Sequence, residues 1–306
     1  MEVNGYKVEP GANLRKADLM GANLLVANLE GATLEGANLS GATLEGANLN
    51  GASLKDAHLN SALLEGANLT NADLRGADLS RSKLQHAEMS NANCHGANLQ
   101  DADLSDAMLD GTDFTDANCK DANFDRASLT MSNLTGAYLA GAVLVGSDCY
   151  EANFTDADLS DADLSDACLE SSNFTRAKLV SHLPNANLDC ADLSHATLTG
   201  AVLVDALLSY ADLTRAALHR ANLAGSDLSE ATLKEASLKE ADLSGANLEH
   251  AILEGADLEG ANLAGANLQH AKLERANLAG ANLEGANLKD ASVSGTNFDG
   301  AIGYQN

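Results

Sequence analysis

Histidine and cysteine, whose side chains act as general bases, nucleophiles and metal ligands, occur eight and five times in this 306-residue sequence. His250 and His270 are twenty residues apart, and Glu230 and Asp290 continue the same interval on either side. If residues at this interval lie above one another, the four side chains form a ladder that could hold a transition metal ion. Such a ladder is more often a solvated charge stack. We therefore expect no bound metal, with His250 and His270 as weak candidate ligands.

No other group of side chains has the spacing of a catalytic or cofactor site. The cysteines are odd in number and form no Cys-x-x-Cys pair. No phosphate-binding loop and no Ser-His-Asp arrangement is evident, so we expect no catalytic residue, no cofactor and no enzymatic activity. Reduced thiols favour a cytoplasmic location. The first ten residues do not resemble a signal peptide, and no stretch of about 18 apolar residues could span a membrane.

The charge is strongly acidic, with 44 Asp and Glu against 18 Lys and Arg and a formal net charge of −26. This balance excludes a basic surface for direct nucleic-acid binding and a polybasic surface for membrane binding. Half of the net charge lies in residues 101–166, where 14 Asp and Glu151 face only Lys120 and Arg126. We expect an acidic surface there, formed by Asp101, Asp103, Asp106, Asp121, Asp156, Asp158, Asp161, Asp163 and Asp166.

A five-residue repeat must position all of these side chains. We call its recurrent apolar residue the centre, as in Gly36-Ala37-Asn38-Leu39-Ser40, where Leu39 is the centre. Centres recur from Leu14 to Leu179 and again from Leu183 to Phe298, which makes 58 units of which 48 have Leu at the centre. Two residues before it stands the inner small position, almost always Ala. The residue directly before the centre is the pre-centre position, usually Asn or Asp. The two residues after the centre are the first and second turn positions, which are Ser40 and Gly41 in this example.

A period of five suits neither common secondary structure. On an α-helix five residues advance the chain by about 140° beyond a full turn, so the centres would spread around the cylinder. On a flat strand an odd period sends successive centres to opposite faces. The chain must therefore turn a corner every five residues. Centres and inner small residues then point inward, and Gly, Asn and Asp serve the turns.

Units such as Ala37-Asn38-Leu39-Ser40-Gly41 and Ala72-Asp73-Leu74-Arg75-Gly76 resemble the A-(D/N)-L-x-x signature of the pentapeptide-repeat proteins. The resemblance extends over residues 12–300. It implies an all-β fold, a right-handed quadrilateral parallel β-helix with about 14 coils of four pentapeptides. At the spacing of β-ladders such a rod is roughly 70 Å long.

A coil of four pentapeptides predicts the composition of the core. Centres four units apart would share a face, so Phe114, Phe154 and Phe174 would stack in one column with Cys94 and Leu134, and Phe124 would lie opposite. Cysteines at centres would be buried, space-filling residues. The predicted structural core therefore includes Phe114, Phe124, Phe154, Phe174, Cys94, Cys119 and Cys149.

One break interrupts the repeat, because Leu179 and Leu188 are nine residues apart. Leu183 is then a centre preceded by a one-residue deletion, and Pro184, which lacks an N–H, belongs at a corner or bulge. A short loop leaving the wall is the alternative, and either form could be a tolerated deletion or a docking bump. The predicted organisation is an N-terminal cap (1–11), a first block of 34 units (12–180), a second block of 24 units with the phase slip near 180–184 (181–300) and a C-terminal cap (301–306).

Apolar residues at outward positions cluster on both sides of this break. They are either scattered surface residues or a patch that binds a partner. The predicted interaction patch comprises Tyr138, Val143, Val145, Tyr150, Val180, His182, Pro184, Val202, Val204, Leu207 and Tyr210.

These features favour a rod-shaped, non-catalytic scaffold that binds an unidentified protein and neither nucleic acid nor membrane. Two alternatives stay open. The first alternative is an acidic DNA mimic, because some members of the family resemble duplex DNA and bind type II topoisomerases. The second alternative is a purely structural spacer. The oligomeric state, a monomer or a homodimer joined end to end or along an edge, is also open.

Overall fold

The computed structural model describes residues 1–304. Strands β1 (Glu2–Val3) and β2 (Tyr6–Lys7) pair antiparallel, with Val3 opposite Tyr6. Asn4 and Gly5 connect them with φ of 54° and 82°, as suits an Asn-Gly hairpin turn. After β2 the described chain contains no helix and no strand longer than a single residue. It consists of turns and isolated parallel bridges.

The parallel bridges join equivalent residues of successive coils. Asn13 pairs with Thr33 and Thr33 with Ser53, so one coil consists of four pentapeptides. Each side of a coil makes the same backbone hydrogen bonds to the next. For example, the Leu19 N–H donates to the Asn38 carbonyl at 2.7 Å, and the Asn38 N–H donates to the Ala17 carbonyl at 2.9 Å. The four-sided coil implied by the resemblance is therefore present.

The chain divides into two compact parts, which we call the first unit, Met1–Asp158, and the second unit, Leu159–Asn306, and which are distinct from the pentapeptide units of the repeat. In the first unit the β1–β2 hairpin covers the first coil. Val8 is buried, and the Tyr6 hydroxyl accepts the Asp18 N–H at 3.3 Å. The N-terminal cap is thus a small hairpin, and Asn4-Gly5 is the sequence signal that identifies it.

The interior of each unit is filled by the centres and the inner small residues. From Leu19 to Leu278 every centre has no solvent exposure. In the first unit the Phe114 and Phe124 rings meet edge to face across the core, with centroids 6.1 Å apart and an interplanar angle of 86°. The bridges Asp113–Asn133 and Asn133–Asn153 place Phe114, Leu134 and Phe154 on one face.

At most inner small positions occupied by serine or threonine the hydroxyl donates to a carbonyl, whereas the buried hydroxyls of Ser132 and Ser181 have no hydrogen-bond partner within residues 1–304. Ser82 Oγ donates to the Leu79 carbonyl at 2.7 Å, and Thr112 Oγ1 donates to the Met89 carbonyl at 2.8 Å. A hydrogen bond to a nearby carbonyl removes the cost of burying the hydroxyl.

The pre-centre side chains bind the backbone and one another. Their Oδ1 atoms accept the N–H two residues later, as between Asp212 and Thr214 at 2.8 Å. Amide side chains also connect successive coils of the second unit: Asn287 donates to Asn267 and Asn267 to Asn247, each at 3.1 Å, and Asn247 donates to Asp227 at 3.0 Å. This dual role explains the preference for Asn and Asp.

The residue two after the centre, which is the second turn position, has a positive φ of 48° to 74° at each corner of the described chain that contains it. Glycine adopts this conformation without strain, and Asn and Asp tolerate it better than other residues. Val26, with φ of 48°, is the one β-branched residue at these corners within residues 1–304, and it is 71% exposed. No burial compensates the strain of its backbone.

Replacing Val26 by glycine should therefore stabilise the protein by ~0.5–1 kcal/mol, the relief of left-handed strain less the extra entropy of an unfolded glycine. Val26→Asn should also stabilise it, because Asn tolerates this conformation. Chemical denaturation of the wild type and both variants measures the effect. Two variants no more stable than the wild type would show that Val26 is not strained.

The break in the repeat lies within the second unit and is a deletion at one corner. Ser181 is buried at the inner small position, His182 bridges to both Asp163 and Val202, and Leu183 is a fully buried centre. Val180 is thus the only turn residue of that corner. The bridge from Lys178 to Thr197 closes a coil that is shorter than the others by the deleted residue.

Pro184 occupies a first turn position, where the regular ladder uses the carbonyl and not the N–H. Its carbonyl accepts the Asp166 N–H at 3.0 Å. Pro184 therefore lies at a corner, and the missing N–H, which would be expected to remove a ladder bond, is not one that the regular ladder uses.

At the last described coil of the second unit, Ile302 bridges to Asn282 and the Tyr304 ring stacks on Phe298, with centroids 3.8 Å apart. Gly303 has a φ of 78°, and a Cβ there would lie 2.6 Å from the Glu284 nitrogen. Glycine is therefore required for the chain to approach the coil this closely. The last two residues of the predicted C-terminal cap, 305 and 306, lie outside the described residues.

Candidate interaction surfaces

Only three of every five side chains reach the surface: those at the pre-centre and the two turn positions. Equivalent side chains of neighbouring coils form columns. The repeat usually fills these positions with Asn, Asp, Ser, Glu and Gly, so apolar residues there stand out.

In the first unit the predicted apolar residues are spread over three sides of the coil. Tyr138 is exposed on the side whose centre is Leu139. Val143 and Val145 share the next side, and Tyr150 lies on the side after that one. Val145 and Tyr150 are both half-buried. The structure thus brings together Val143 and Val145 and does not place Tyr138 or Tyr150 on their side.

In the second unit four predicted residues form a compact cluster. His182 bridges to Val202, and the Asn185 N–H donates to the Val204 carbonyl at 3.0 Å, which sets Pro184 beside Val204. Leu207, which is 43% exposed, lies on the following side of the coil, and Tyr210, which is 66% exposed, lies at the corner of that side. Val180 lies on the preceding side. We call His182, Pro184, Val202, Val204, Leu207 and Tyr210 the second-unit patch.

Most of the exposed apolar residues that the predicted patch leaves out lie in the first unit, among them Leu63 and Met108 at pre-centre positions, and Ile302 lies in the second. Met20, Leu25 and Val26 project from turn positions of the first coil, and Met131 projects from a corner beside Tyr150. Their signal was available, because each replaces a polar or glycine residue at an outward position of the repeat.

Part of the acidic surface in the first unit is paired with cations. Arg126 binds Asp106 through two hydrogen bonds of 2.9 Å, and this lowers the pKa of the Asp106 carboxyl. Partial burial opposes ionisation of Asp103, but hydrogen bonds from Ser105 and the charge of Lys83 hold its pKa below the usual value. Asp101 lies 3.7 Å from Arg81 and Asp121 lies 3.5 Å from Lys120.

The other predicted acidic residues also have partners. Asp156 and Asp158 of the first unit take part in interactions of the fold, and in the second unit the backbone N–H of Asp161 donates to the Val180 carbonyl at 2.8 Å. In the second unit Ser165 Oγ donates to Asp163, and Asn185 Nδ2 donates to Asp166 at 3.1 Å. The acidic residues are therefore partly organised by local hydrogen bonds and ion pairs.

His250 and His270 lie above one another, as their spacing predicts. The rings stack with centroids 4.8 Å apart and an interplanar angle of 11°. Gln269 Nε2 lies 3.2 Å from His270 Nε2, and Glu249 lies 4.0 Å from His250 Nε2. Across residues 1–304 no group of three or more His, Cys, Asp or Glu side chains is placed to hold a metal ion.

All five cysteines are in the reduced thiol form. Cys94, Cys119 and Cys149 are buried centres, together with Phe114, Phe124, Phe154 and Phe174. Burial raises the pKa of the Cys94 thiol well above its usual value and that of Cys119 to about 12. These two thiols are therefore protonated and inert at neutral pH. Cys168 is half-buried and Cys190 exposed.

The part of the chain that the structure describes contains no helix of the length and apolar character needed to cross a membrane.

Parallel bridges between successive coils and an interior of repeated Leu and Ala define a β-helical solenoid, in which each coil is stabilised by its neighbours. The family model described as "Pentapeptide repeats (8 copies)" matches most of the chain, and the chain belongs to the pentapeptide-repeat family. The matched segments leave out residues 171–185, which contain the deletion. They are residues 10–36, 27–66, 57–93, 77–116, 92–130, 132–170, 186–225, 211–249, 241–278 and 266–302.

Solved structures with similar sequences are also pentapeptide-repeat proteins. HetL, involved in heterocyst differentiation regulation in the cyanobacterium Nostoc sp. strain PCC 7120, is 37% identical over 78% of this chain and 90% of its own, with a TM-score of 0.30. Rfr23 from the cyanobacterium Cyanothece 51142 is 28% identical over 46% and 90%, with a TM-score of 0.17. A trypsin-treated variant of QnrB1, a plasmid-mediated fluoroquinolone resistance protein, is 22% identical over 58% and 87%, with a TM-score of 0.46. Among curated proteins none matches the sequence.

Proposed function

We propose that this chain is a non-catalytic scaffold that binds another protein through the second-unit patch. Its coils are proposed to have the right-handed twist and the number, about 14, that the family resemblance implies. The observation that carries the proposal is the cluster of His182, Pro184, Val202 and Val204 on one side of neighbouring coils, extended by Leu207 and Tyr210.

The second-unit patch has no evident benefit for the fold. Val202 and Leu207 occupy pre-centre positions, where Asn or Asp would bind the turn N–H and the neighbouring coil, as Asp227 and Asn247 do. Both side chains point outward and forgo those hydrogen bonds without being buried in the core. Leu207 is exposed and Val202 is half-buried, and apolar residues that reach the surface at the cost of internal hydrogen bonds support a contact outside the chain.

The partner that suits this surface has an apolar centre and basic residues around it. The net charge of −26 attracts such a partner over a distance, whereas the apolar patch provides the short-range contact. The charge should therefore act on the association rate and the patch on the dissociation rate.

An affinity-capture experiment with a matched control tests the proposal. Val202→Lys places a charge in the second-unit patch, and Ala217→Lys places the same charge at a pre-centre position outside it. We expect the wild type and Ala217→Lys to capture the same protein, and Val202→Lys to capture at least tenfold less of it. Burying an unpaired charge costs more than the roughly 1.4 kcal/mol that corresponds to a factor of ten in affinity. Equal capture by all three would contradict the proposal.

The net charge also favours a second candidate, an acidic DNA mimic that binds a type II topoisomerase. A gyrase supercoiling assay distinguishes the two. Mimicry in place of the proposed patch would be supported if the Val202→Lys variant still inhibits gyrase supercoiling and the double variant Asp101→Asn, Asp121→Asn does not. Absence of both capture and inhibition would leave the purely structural spacer.

A further inference from the structure

Corner arginines in this protein normally bind a carboxylate from the neighbouring corner of the same column. Arg126 binds Asp106 bidentately at 2.9 Å, and Arg215 and Arg220 bind Glu235 and Glu240 at 2.7 Å through Nε. In each pair the partners lie one coil apart, and both are at second turn positions. The repeat thus contains its own template for a carboxylate bound between stacked corners.

Arg275 occupies the same type of corner but lacks this partner. The corners one coil before and one coil after it are Gly255 and Gly295, which have no side chain. Among residues 1–304, the Arg275 guanidinium forms no ion pair and no hydrogen bond. The adjacent carboxylate, Glu274, accepts a hydrogen bond from Ser292 Oγ at 2.5 Å instead. This hydrogen bond and, to a lesser degree, the charges of Lys272 and Arg275 hold the pKa of the Glu274 carboxyl below its usual value, so Arg275 acts on Glu274 without a direct contact.

A cavity of about 190 Å³ lies beside Gly255, where an added Cβ would contact the Glu235 side chain at 3.7 Å. It is lined by Lys234, Glu235, Glu254, Gly255 and Arg275. Both carboxylates in the lining are already engaged, because Arg215 binds Glu235 at 2.7 Å and Lys234 lies 3.3 Å from Glu254. Arg275 is therefore the one lining charge that has no ion-pair partner on the described chain.

We propose that this cavity, the Arg275 notch, is a binding site for a small carboxylate. A carboxylate entering beside Gly255 would accept two hydrogen bonds from the planar guanidinium, as Asp106 does from Arg126. The nearby Glu235 and Glu254 repel a phosphate dianion more strongly than a carboxylate monoanion, so the site selects the latter. The proposal is independent of the second-unit patch.

The first test uses acetate as the probe. Eight arginines give a simple Nε–Hε NMR spectrum, and acetate is titrated against chloride at constant ionic strength. We expect one signal to shift saturably, with Arg275→Gln removing that response or weakening it at least tenfold and Arg220→Gln leaving it intact. Acetate shifts that are linear and equal for all arginines would overturn the proposal.

The same titration with N-acetyl-glutamate amide identifies the source of the carboxylate. Saturation at lower concentration than acetate assigns the site to an acidic side chain of another protein, and saturation at equal or higher concentration assigns it to a free small carboxylate. A response to neither probe overturns the proposal.

A second test supplies the carboxylate from the chain itself. Gly255→Asp should recreate the Asp106–Arg126 arrangement, abolish the acetate response and melt about 1–3 °C above its neutral isostere Gly255→Asn. The difference should vanish in the Arg275→Gln background. Gly245→Asp and Gly245→Asn, at a corner with glycines on both sides, control for the added charge. Equal melting of the two Gly255 variants would contradict the proposed carboxylate site.

Discussion

Replacing Phe124 by alanine should destabilise the first unit by ~3–5 kcal/mol, the largest effect expected of any single substitution here. Phe124 is fully buried and packs edge to face on Phe114 at 6.1 Å. Truncation leaves a cavity that neighbouring coils cannot fill, because their alanines and leucines are held by backbone ladders. Each coil is stabilised by its neighbours, so this region should unfold before the rest of the unit.

Phe124→Leu is the control, because leucine is the usual centre and should cost much less. Denaturant unfolding gives the stabilities, and hydrogen exchange locates the opening. A double-mutant cycle with Phe114→Leu should show a coupling of ~0.5–1.5 kcal/mol from the ring contact. Alanine and leucine variants of equal stability would show that Phe124 does not fill the core as described.

Two adjacent alanines provide the second prediction, because Ala216 and Ala217 are chemically identical but face opposite ways. Ala216 is buried at an inner small position, whereas Ala217 is half-exposed at a pre-centre position. Ala216→Leu must fit extra carbon atoms into a filled corner and should cost ~1–3 kcal/mol or more. Ala217→Leu should change stability by less than about 0.5 kcal/mol, as for an ordinary surface substitution. Melting temperatures measure both, and similar losses would refute the inward and outward assignment.

Most of the fold could be predicted from the sequence because the repeat is strict. A period of five excludes helix and flat strand, and it identifies Leu and Ala as buried before any coordinates are known. The number of sides came from the family resemblance, because a five-residue period does not state how many corners close one coil. The parallel pairing of Asn13 with Thr33 supplies that number.

The details that escaped prediction depend on contacts between coils. The hairpin at Asn4-Gly5 is a local signal that was available in the sequence. The spacing of Leu179 and Leu188 indicates a missing residue, but only the burial of Ser181 and the hydrogen bond from the Asp161 N–H to the Val180 carbonyl show that the second turn residue of that corner is absent.

How the surface residues group depends on the coil and not on the five-residue period. Val143 and Val145 share a side, Tyr138 and Tyr150 lie on other sides, and the exposed Met20, Leu25 and Val26 were not part of the predicted patch. The empty partner position of Arg275 could be recognised only by comparing its column with that of Arg126. We therefore expect the binding residues of such a fold among those that depart from the repeat, and only the structure shows which of these residues are neighbours.

The central claim, that the second-unit patch binds the partner, is tested most directly by methyl NMR of the protein with its captured partner. We expect the methyl signals of Val202, Val204 and Leu207 to shift or broaden on complex formation. Those of Ala217 and the buried Leu218 should stay unchanged. Perturbations confined to the surroundings of Asp101, Asp106 and Asp121, with the three patch residues unaffected, would contradict the account and place the binding site on the acidic surface.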